Sequence, residues 1–217
     1  MTSIENVYIC LTAPLLIAAL CFRGTRKGLT LFLISGGTAC LLSSYVSAYL
    51  AALLGADPQA ASIEIAPFVE ELMKFTPMLF YLMALEPKKD RIAERVLMIG
   101  VGFATFENVC YLLTNGTAEI THLLIRGFGT GAMHIVCGTI VSIGLIWLWD
   151  YRWLRVAGAF GLLAVAITYH GVYNILVSQP GAIAVVGYVI PLFTTVLVIL
   201  FRNIRIMPEE NGKETAD

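Results

Sequence analysis

Charged residues are scarce in this chain. Only 13% of its 217 residues are Asp, Glu, Lys or Arg, whereas 58% are hydrophobic. Soluble domains carry about 25% charged residues, so the composition excludes that class. Because apolar runs recur from end to end, we expect one integral-membrane domain over residues 1–217 rather than a soluble unit with an anchor.

The sequence also lacks an excess of basic residues and closely spaced cysteine pairs. The formal net charge is −1, and no basic stripe or RNA-binding signature occurs, so we expect no nucleic-acid partner. The five cysteines are odd in number, scattered through apolar stretches and never spaced C-x-x-C, which argues against a disulfide framework and a zinc knuckle. No basic residue precedes the first apolar run, so that run is predicted to be a retained span rather than a cleaved signal peptide.

The apolar runs predict an all-α, polytopic transmembrane helix bundle, since about 20 apolar residues suffice to cross a bilayer. Seven spans are predicted: Val7–Phe22, Leu29–Leu54, Ile63–Leu85, Val96–Leu113, Leu123–Trp149, Leu154–Val177 and Ile183–Phe201. Residues 63–177 hold the core spans. The charged stretch Glu86–Arg95 is predicted to be a loop, and residues 202–217 are predicted to be a cytosolic tail.

Loop charges predict the orientation of the bundle. Lys and Arg follow the first, third, fifth and seventh spans, while the other loops have essentially none. The positive-inside rule therefore predicts an outside N-terminus and a cytosolic C-terminus. Arg126, near the outer end of the fifth span, is the exception, and it either snorkels to the interface or belongs to a site.

An acid pair and a lysine interrupt the third span. Glu70, Glu71 and Lys74 lie in an otherwise apolar stretch, where a charged side chain costs at least about 2.5–3.5 kcal/mol and usually serves a function. One alternative is a helix-stabilising ion pair, since Lys74 lies four residues from Glu70 and three from Glu71. Adjacent glutamates point about 100° apart on a helix, so one lysine cannot fully neutralise both.

Polar residues from four spans are predicted to meet at one depth. At about 1.5 Å per residue, Glu70, Glu71, Glu107 and His170 lie roughly 10 Å below the outer surface, and His134 lies about 16 Å below it. Asn174 is one turn from His170 on the same helix face. The candidate site residues are therefore Glu70, Glu71, Glu107, His134, His170 and Asn174.

A carboxylate beside an imidazole in a poorly solvated pocket is suited to deprotonating water. A second imidazole and the Asn174 amide could stabilise an oxyanion. A serine or cysteine nucleophile, such as Ser142 or Cys137, is less favoured because neither lies in a nucleophile motif. No cofactor is expected, since H-E-x-x-H is absent. Zinc stays open, with four candidate ligands: Glu71, Glu107, His134 and His170.

At these residues the sequence resembles the PrsW family of intramembrane proteases, relatives of the CAAX-protease superfamily. The matching segments are Phe68–Lys74, Gly102–Leu112, Arg126 seven residues ahead of Met133-His134, and His170–Asn174. Any one of these motifs is weak evidence. Their order and spacing extend from the third span to the sixth, which makes the combination specific.

The resemblance implies an endopeptidase of the bacterial inner membrane that cuts single-pass membrane proteins, such as an anti-sigma factor, near their extracytoplasmic side. Glu70, Glu71 and His170 would form its catalytic core. Glu107 stands where CAAX-type relatives carry a histidine, which leaves its role open between water activation, metal binding and orientation. Asn174 is similar to an oxyanion-hole amide of that superfamily.

Two other functions remain open at this stage. A proton-coupled transporter also buries Glu and His in its bundle, although the halves of this sequence show no convincing inverted repeat. A catalytically silent relative that binds other membrane helices is the second alternative.

Overall fold

The computed structural model describes residues 4–84, 89–115, 119–148 and 151–206, and these residues form helices without any strand. The helices are α1 (Ile4–Cys21), α2 (Gly24–Leu54), α3 (Pro58–Ala60), a π-helical segment (Ala61–Ile65), α4 (Ala66–Ala84), α5 (Lys89–Asn115), α6 (Ile120–Leu148), α7 (Arg152–Val177) and α8 (Ala182–Ile206). The predicted all-α polytopic bundle is confirmed. Most of the tail predicted at 202–217 lies outside the described residues.

Within this described part of the chain, six helices are long and apolar enough to cross a membrane, namely α1, α2, α5, α6, α7 and α8. The sequence predicted seven spans, and α4 accounts for the difference. Three ionisable residues, Glu70, Glu71 and Lys74, interrupt the apolar surface of α4. It packs inside the bundle against α2, α5 and α7, where its charges can find partners.

The break before α4 falls where the sequence predicted it. Gly55 ends α2 in the left-handed conformation with φ 65°, which glycine adopts without a Cβ clash. Asp57 then caps α3 by accepting a hydrogen bond from the Ala60 amide at 2.8 Å, and Pro58 holds the first helical position. The π-helical segment follows directly and leads into α4. Such segments are rare and occur frequently at functional sites.

The predicted loop at Glu86–Arg95 is wrong for most of its length, because α5 already begins at Lys89. After Pro87 the sequence contains no helix breaker, and Lys, Arg, Glu and Ala all favour helix. The helix therefore extends beyond the apolar run. Arg95, in its first turns, lies 4.4 Å from the centre of the Tyr81 ring.

A close crossing of α2 and α5 positions the site. A Cβ placed on Gly36 would overlap the Ile99 carbonyl oxygen, and one on Gly102 would overlap the Leu33 carbonyl oxygen. Glycine at both positions therefore permits backbone contact, as small residues commonly do between membrane helices. This contact holds α5 where Phe103 and Glu107 reach the middle of the bundle.

An apolar core continues from the charged part of α4 along the rest of that helix. Buried Phe75 and Met78 pack there with Ile99 and Leu163 from other helices. A cavity of about 20 Å³ lies between this core and the Lys74 and His134 side chains. It has room for about one water molecule, so this end of the site is nearly closed by packed side chains.

Candidate active site

The charged face of α4 supplies the first three side chains. Lys74 and Glu71 are 8% and 4% exposed, and their Nζ and Oε1 atoms are 2.5 Å apart. Of the two ion pairs that the spacing allowed, the structure forms the one three residues apart. The Lys74 ammonium also lies 4.8 Å from the centre of the Phe103 ring, within the range of a cation–π interaction.

His170 reaches both glutamates from α7. Its Nδ1 atom lies 2.8 Å from Glu71 Oε1, and its Nε2 atom lies 3.7 Å from Glu70 Oε2. The first distance is a hydrogen bond, whereas the second exceeds one. The ring itself is buried, at 2% exposure. His170 is therefore held by Glu71 and faces Glu70 with its other nitrogen.

His134, on α6, links the lysine to a third carboxylate. Its Nδ1 atom lies 2.8 Å from Lys74 Nζ, and its Nε2 atom lies 2.5 Å from Glu107 Oε2. The ring is fully buried and stands perpendicular to His170, with ring centres 5.3 Å apart. Both ring nitrogens of His134 are thus engaged by charged partners.

Glu107 in turn contacts Arg126. The arginine Nη2 atom lies 3.3 Å from Glu107 Oε1, and Nη1 donates to Asn108 Oδ1 at 2.6 Å. The guanidinium carbon lies 3.6 Å from the centre of the Tyr111 ring. Of the two alternatives left open for Arg126, the structure supports membership of the site over snorkelling.

The donors and acceptors in this network determine which nitrogen of each imidazole carries a proton. A lysine ammonium only donates, so His134 Nδ1 accepts from Lys74 and its Nε2–H donates to Glu107. A carboxylate only accepts, so His170 Nδ1–H donates to Glu71. In the neutral imidazole, the lone pair of His170 Nε2 then faces Glu70.

Glu70 differs from its neighbour in its contacts. Its Oε2 atom is buried and has no hydrogen-bond partner among the described residues. Buried polar atoms nearly always have partners, and an exception calls for an explanation such as a catalytic role or a bound molecule. Lys74 and His170 both bind Oε1 of Glu71, whereas Glu70 has a buried oxygen without a hydrogen bond, which makes Glu70 the candidate for chemistry.

Asn174 lies apart from this network in its contacts. Its amide nitrogen donates to the Ser62 carbonyl at 2.8 Å, which ties α7 to the π-helical segment ahead of the glutamates. The amide carries a second N–H that this bond does not use, and its oxyanion role stays a prediction. The structure thus connects five of the six predicted site residues through side-chain contacts: Glu70, Glu71, Glu107, His134 and His170.

Sequence reasoning missed part of this site. Lys74 was weighed only as an ion-pair partner of the glutamates, yet it joins the His170 half of the network to the His134 half. Asn108 was not among the candidate site residues, and it is the second acceptor for Arg126. The available signal for Arg126 was its violation of the positive-inside pattern.

Three side chains bring potential metal-ligand atoms together. One atom each from Glu70, His134 and His170 lies within 4.8 Å of the others, and this is the grouping that the described residues provide. The sequence-based set of Glu71, Glu107, His134 and His170 shares its two histidines with this grouping and differs from it in its carboxylates. Glu71 and Glu107 instead accept hydrogen bonds from the two imidazoles.

A comparison with known families identifies the domain that contains these residues. The sequence model described as PrsW family intramembrane metalloprotease matches residues 24–201. The chain belongs to the PrsW family. No curated protein and no solved structure matches the chain. The matched region extends from α2 into α8 and includes every residue of the network, so these contacts belong to the PrsW domain itself and not to α1.

Membership in the PrsW family makes the protein a membrane protease, and the six apolar helices make it a multi-pass integral membrane protein. The family description names a metalloprotease, and the Glu70, His134 and His170 grouping makes a metal possible. Substrate, orientation and the roles of individual residues are proposed below.

Proposed function

We propose that this protein is an endopeptidase of the bacterial inner membrane that cleaves single-pass membrane proteins near their extracytoplasmic side. Glu70 and His170 activate the attacking water. The observation that carries the proposal is the buried Glu70 Oε2 atom, which has no hydrogen bond among the described residues and lies 3.7 Å from His170 Nε2. The kinship with the CAAX-protease superfamily, and an anti-sigma factor as substrate, are parts of the same proposal.

The gap between Glu70 and His170 suits a bridging water. At 3.7 Å the two atoms are too far apart for a direct hydrogen bond and close enough to contact one water oxygen together. Both atoms present lone pairs, so each accepts one hydrogen of that water. The lone pairs of the water oxygen are then directed away from the protein, toward a substrate carbonyl.

One carboxylate is enough for the proton transfers of the hydrolysis. Glu70 takes a proton as the water oxygen bonds to the scissile carbonyl carbon, and it returns that proton to the amide nitrogen as the C–N bond breaks. The products are a new carboxyl terminus and a new amine. Glu71 and Lys74 hold His170 and His134 in place throughout, because their hydrogen bonds need not break in any step.

Zinc matches the donor types of Glu70, His134 and His170, and a bound metal would polarise the carbonyl and activate water. The arrangement of His134 does not fit such a site. Both of its nitrogens are engaged, one by the Lys74 ammonium and the other by Glu107. A metal would have to displace one of them, so we derive no step through it.

Hydrolysis is therefore expected to proceed without a tightly held metal. Purified protein should contain substoichiometric zinc, and a chelator should leave the cleavage rate unchanged. The Lys74→Met variant provides the matched comparison, because it frees His134 Nδ1 and should raise zinc binding. One zinc per wild-type chain, together with chelator-sensitive activity restored by zinc, would overturn this expectation.

The proposed function can be tested without knowing the substrate. Wild-type protein and Glu70→Gln are each co-expressed with a library of tagged single-span membrane proteins, and fragments are detected through tags at both ends. At least one library member should yield two fragments with the wild type and none with Glu70→Gln. A complete screen without any fragment dependent on Glu70 would contradict the protease assignment.

The cut is expected in the outer third of the substrate span or just outside it. Loop charges place the acids roughly 10 Å below the outer surface, and opening a substrate helix deeper in hydrocarbon is costly. Gly or Pro inserted at that level should speed cleavage, and extension of the helix with Leu and Ala should slow it. Mass spectrometry locates the bond, and a cut in the cytosolic third would contradict either the orientation or the site.

A further inference from the structure

Arg126 stands out because its charge is poorly placed for a membrane helix yet well supplied with partners. It lies on the side of the bundle where the loops carry essentially no basic residues. Its guanidinium contacts Glu107 at 3.3 Å and Asn108 at 2.6 Å, and it stacks on Tyr111. The planar guanidinium is therefore held by three neighbours on α5.

Among the contacts of the described residues, Arg126 reaches the catalytic groups through Glu107. That carboxylate accepts from Arg126 through Oε1 and from His134 through Oε2. The arginine therefore fixes the orientation of the carboxylate whose other oxygen accepts the hydrogen bond from His134. Glu107 is 26% exposed. Without the arginine, water could solvate Oε1 and let the carboxylate rotate away from His134.

We propose that Arg126 is a positioning residue for hydrolysis, acting through Glu107 to hold His134 with its Nε2–H on the carboxylate and its Nδ1 toward Lys74. This inference rests on the proposed proteolytic function. With His134 held in this state, Lys74 stays directed at Glu71, and Glu71 keeps His170 Nε2 facing Glu70. A small misplacement of a catalytic group by a change away from the chemistry can reduce the rate substantially.

The proposal predicts an effect on turnover rather than on substrate binding. In Arg126→Gln, kcat should fall about 10- to 100-fold while KM changes little, because the loss is one of geometry in the site. Arg126→Lys keeps the charge but cannot contact Glu107 and Asn108 with one planar group. Its kcat should therefore lie between that of the wild type and that of Arg126→Gln. Arg95→Gln is the matched control, since Arg95 also stacks on an aromatic ring but lies outside the network.

A spectroscopic measurement separates positioning from a general structural role. The chain has three histidines, so ring ¹⁵N spectra of labelled protein in nanodiscs can be assigned with single His→Gln variants. Wild-type His134 should show protonated Nε2 and unprotonated Nδ1. Arg126→Gln should change this signature, and Arg95→Gln should not.

Two results would overturn the inference: turnover in Arg126→Gln equal to that of Arg95→Gln, or a fall in kcat with an unchanged His134 spectrum. If Arg126→Gln fails to fold, Arg126→Lys is judged by the same two measurements. Absence of cleavage by the wild type would reject the proposed function, but the His134 spectrum would still test whether Arg126 acts through Glu107. The two failures are therefore distinguishable.

Discussion

Glu70→Gln is expected to abolish cleavage and leave the fold intact. The amide cannot accept a proton from water, and the loss of a general base costs about 100- to 10,000-fold in rate. Because Oε2 of Glu70 lacks a hydrogen-bond partner among the described residues, the substitution breaks no hydrogen bond of that atom. Thermal unfolding in detergent should therefore match the wild type.

Glu71→Gln should also lose cleavage, but for a different reason and with a loss of stability. It removes the negative partner of a buried lysine and weakens the bond that holds His170. Breaking a buried ion pair in this way costs about 3–5 kcal/mol, so Glu71→Gln should unfold at a lower temperature than Glu70→Gln.

Glu64→Gln is the matched control for both variants, because Glu64 is an exposed glutamate in the π-helical segment, one to two turns before the pair. It should cleave at the wild-type rate. Full activity in both Glu70→Gln and Glu71→Gln would end the glutamate mechanism. Activity retained in Glu70→Gln alone would transfer the role of base to Glu71.

His170→Asn is the second substitution with a large expected effect. An asparagine amide can take the place of Nδ1 and keep the hydrogen bond to Glu71, but it has no counterpart of the Nε2 atom that faces Glu70. Turnover should fall by about 100-fold or more while folding is preserved.

Asn174→Ala gives the comparison on the same helix. The Asn174 amide holds the Ser62 carbonyl, so its loss should loosen the π-helical segment. If Asn174 also serves as the predicted oxyanion donor, its loss should cost about 100-fold in kcat. Wild-type turnover in both His170→Asn and Asn174→Ala, measured with a purified reporter substrate, would remove α7 from the active site.

The sequence predicted most of the architecture because membrane thickness and hydropathy constrain helices strongly. The break at Gly55 and Asp57 lies between the predicted second and third spans, Leu29–Leu54 and Ile63–Leu85. The start of α5 at Lys89 was missed because a charged stretch can be helical outside the apolar layer. Six helices meet the length and composition of a span, and α4, the predicted third span, has the length but carries three ionisable groups.

The candidate site could be predicted as a set of residues and not as a set of contacts. The helical rise and the loop charges predicted similar membrane depths for four residues: Glu70, Glu107, His134 and His170. Which glutamate pairs with Lys74 depends on side-chain rotamers that spacing does not determine, since both spacings permit a pair. The partners of Arg126 and Asn174 lie on other helices, so they required the packing of α5, α6 and α7.

The most direct test of the central claim is mass spectrometry of a cleaved reporter in H₂¹⁸O. Purified protein in nanodiscs is incubated with a tagged single-span substrate taken from the library screen. If Glu70 and His170 activate water, the wild type should yield one new carboxyl terminus that carries ¹⁸O and lies in the outer third of the span. Glu70→Gln should yield no such terminus. A wild-type fragment without ¹⁸O, or equal cleavage by Glu70→Gln, would contradict the account.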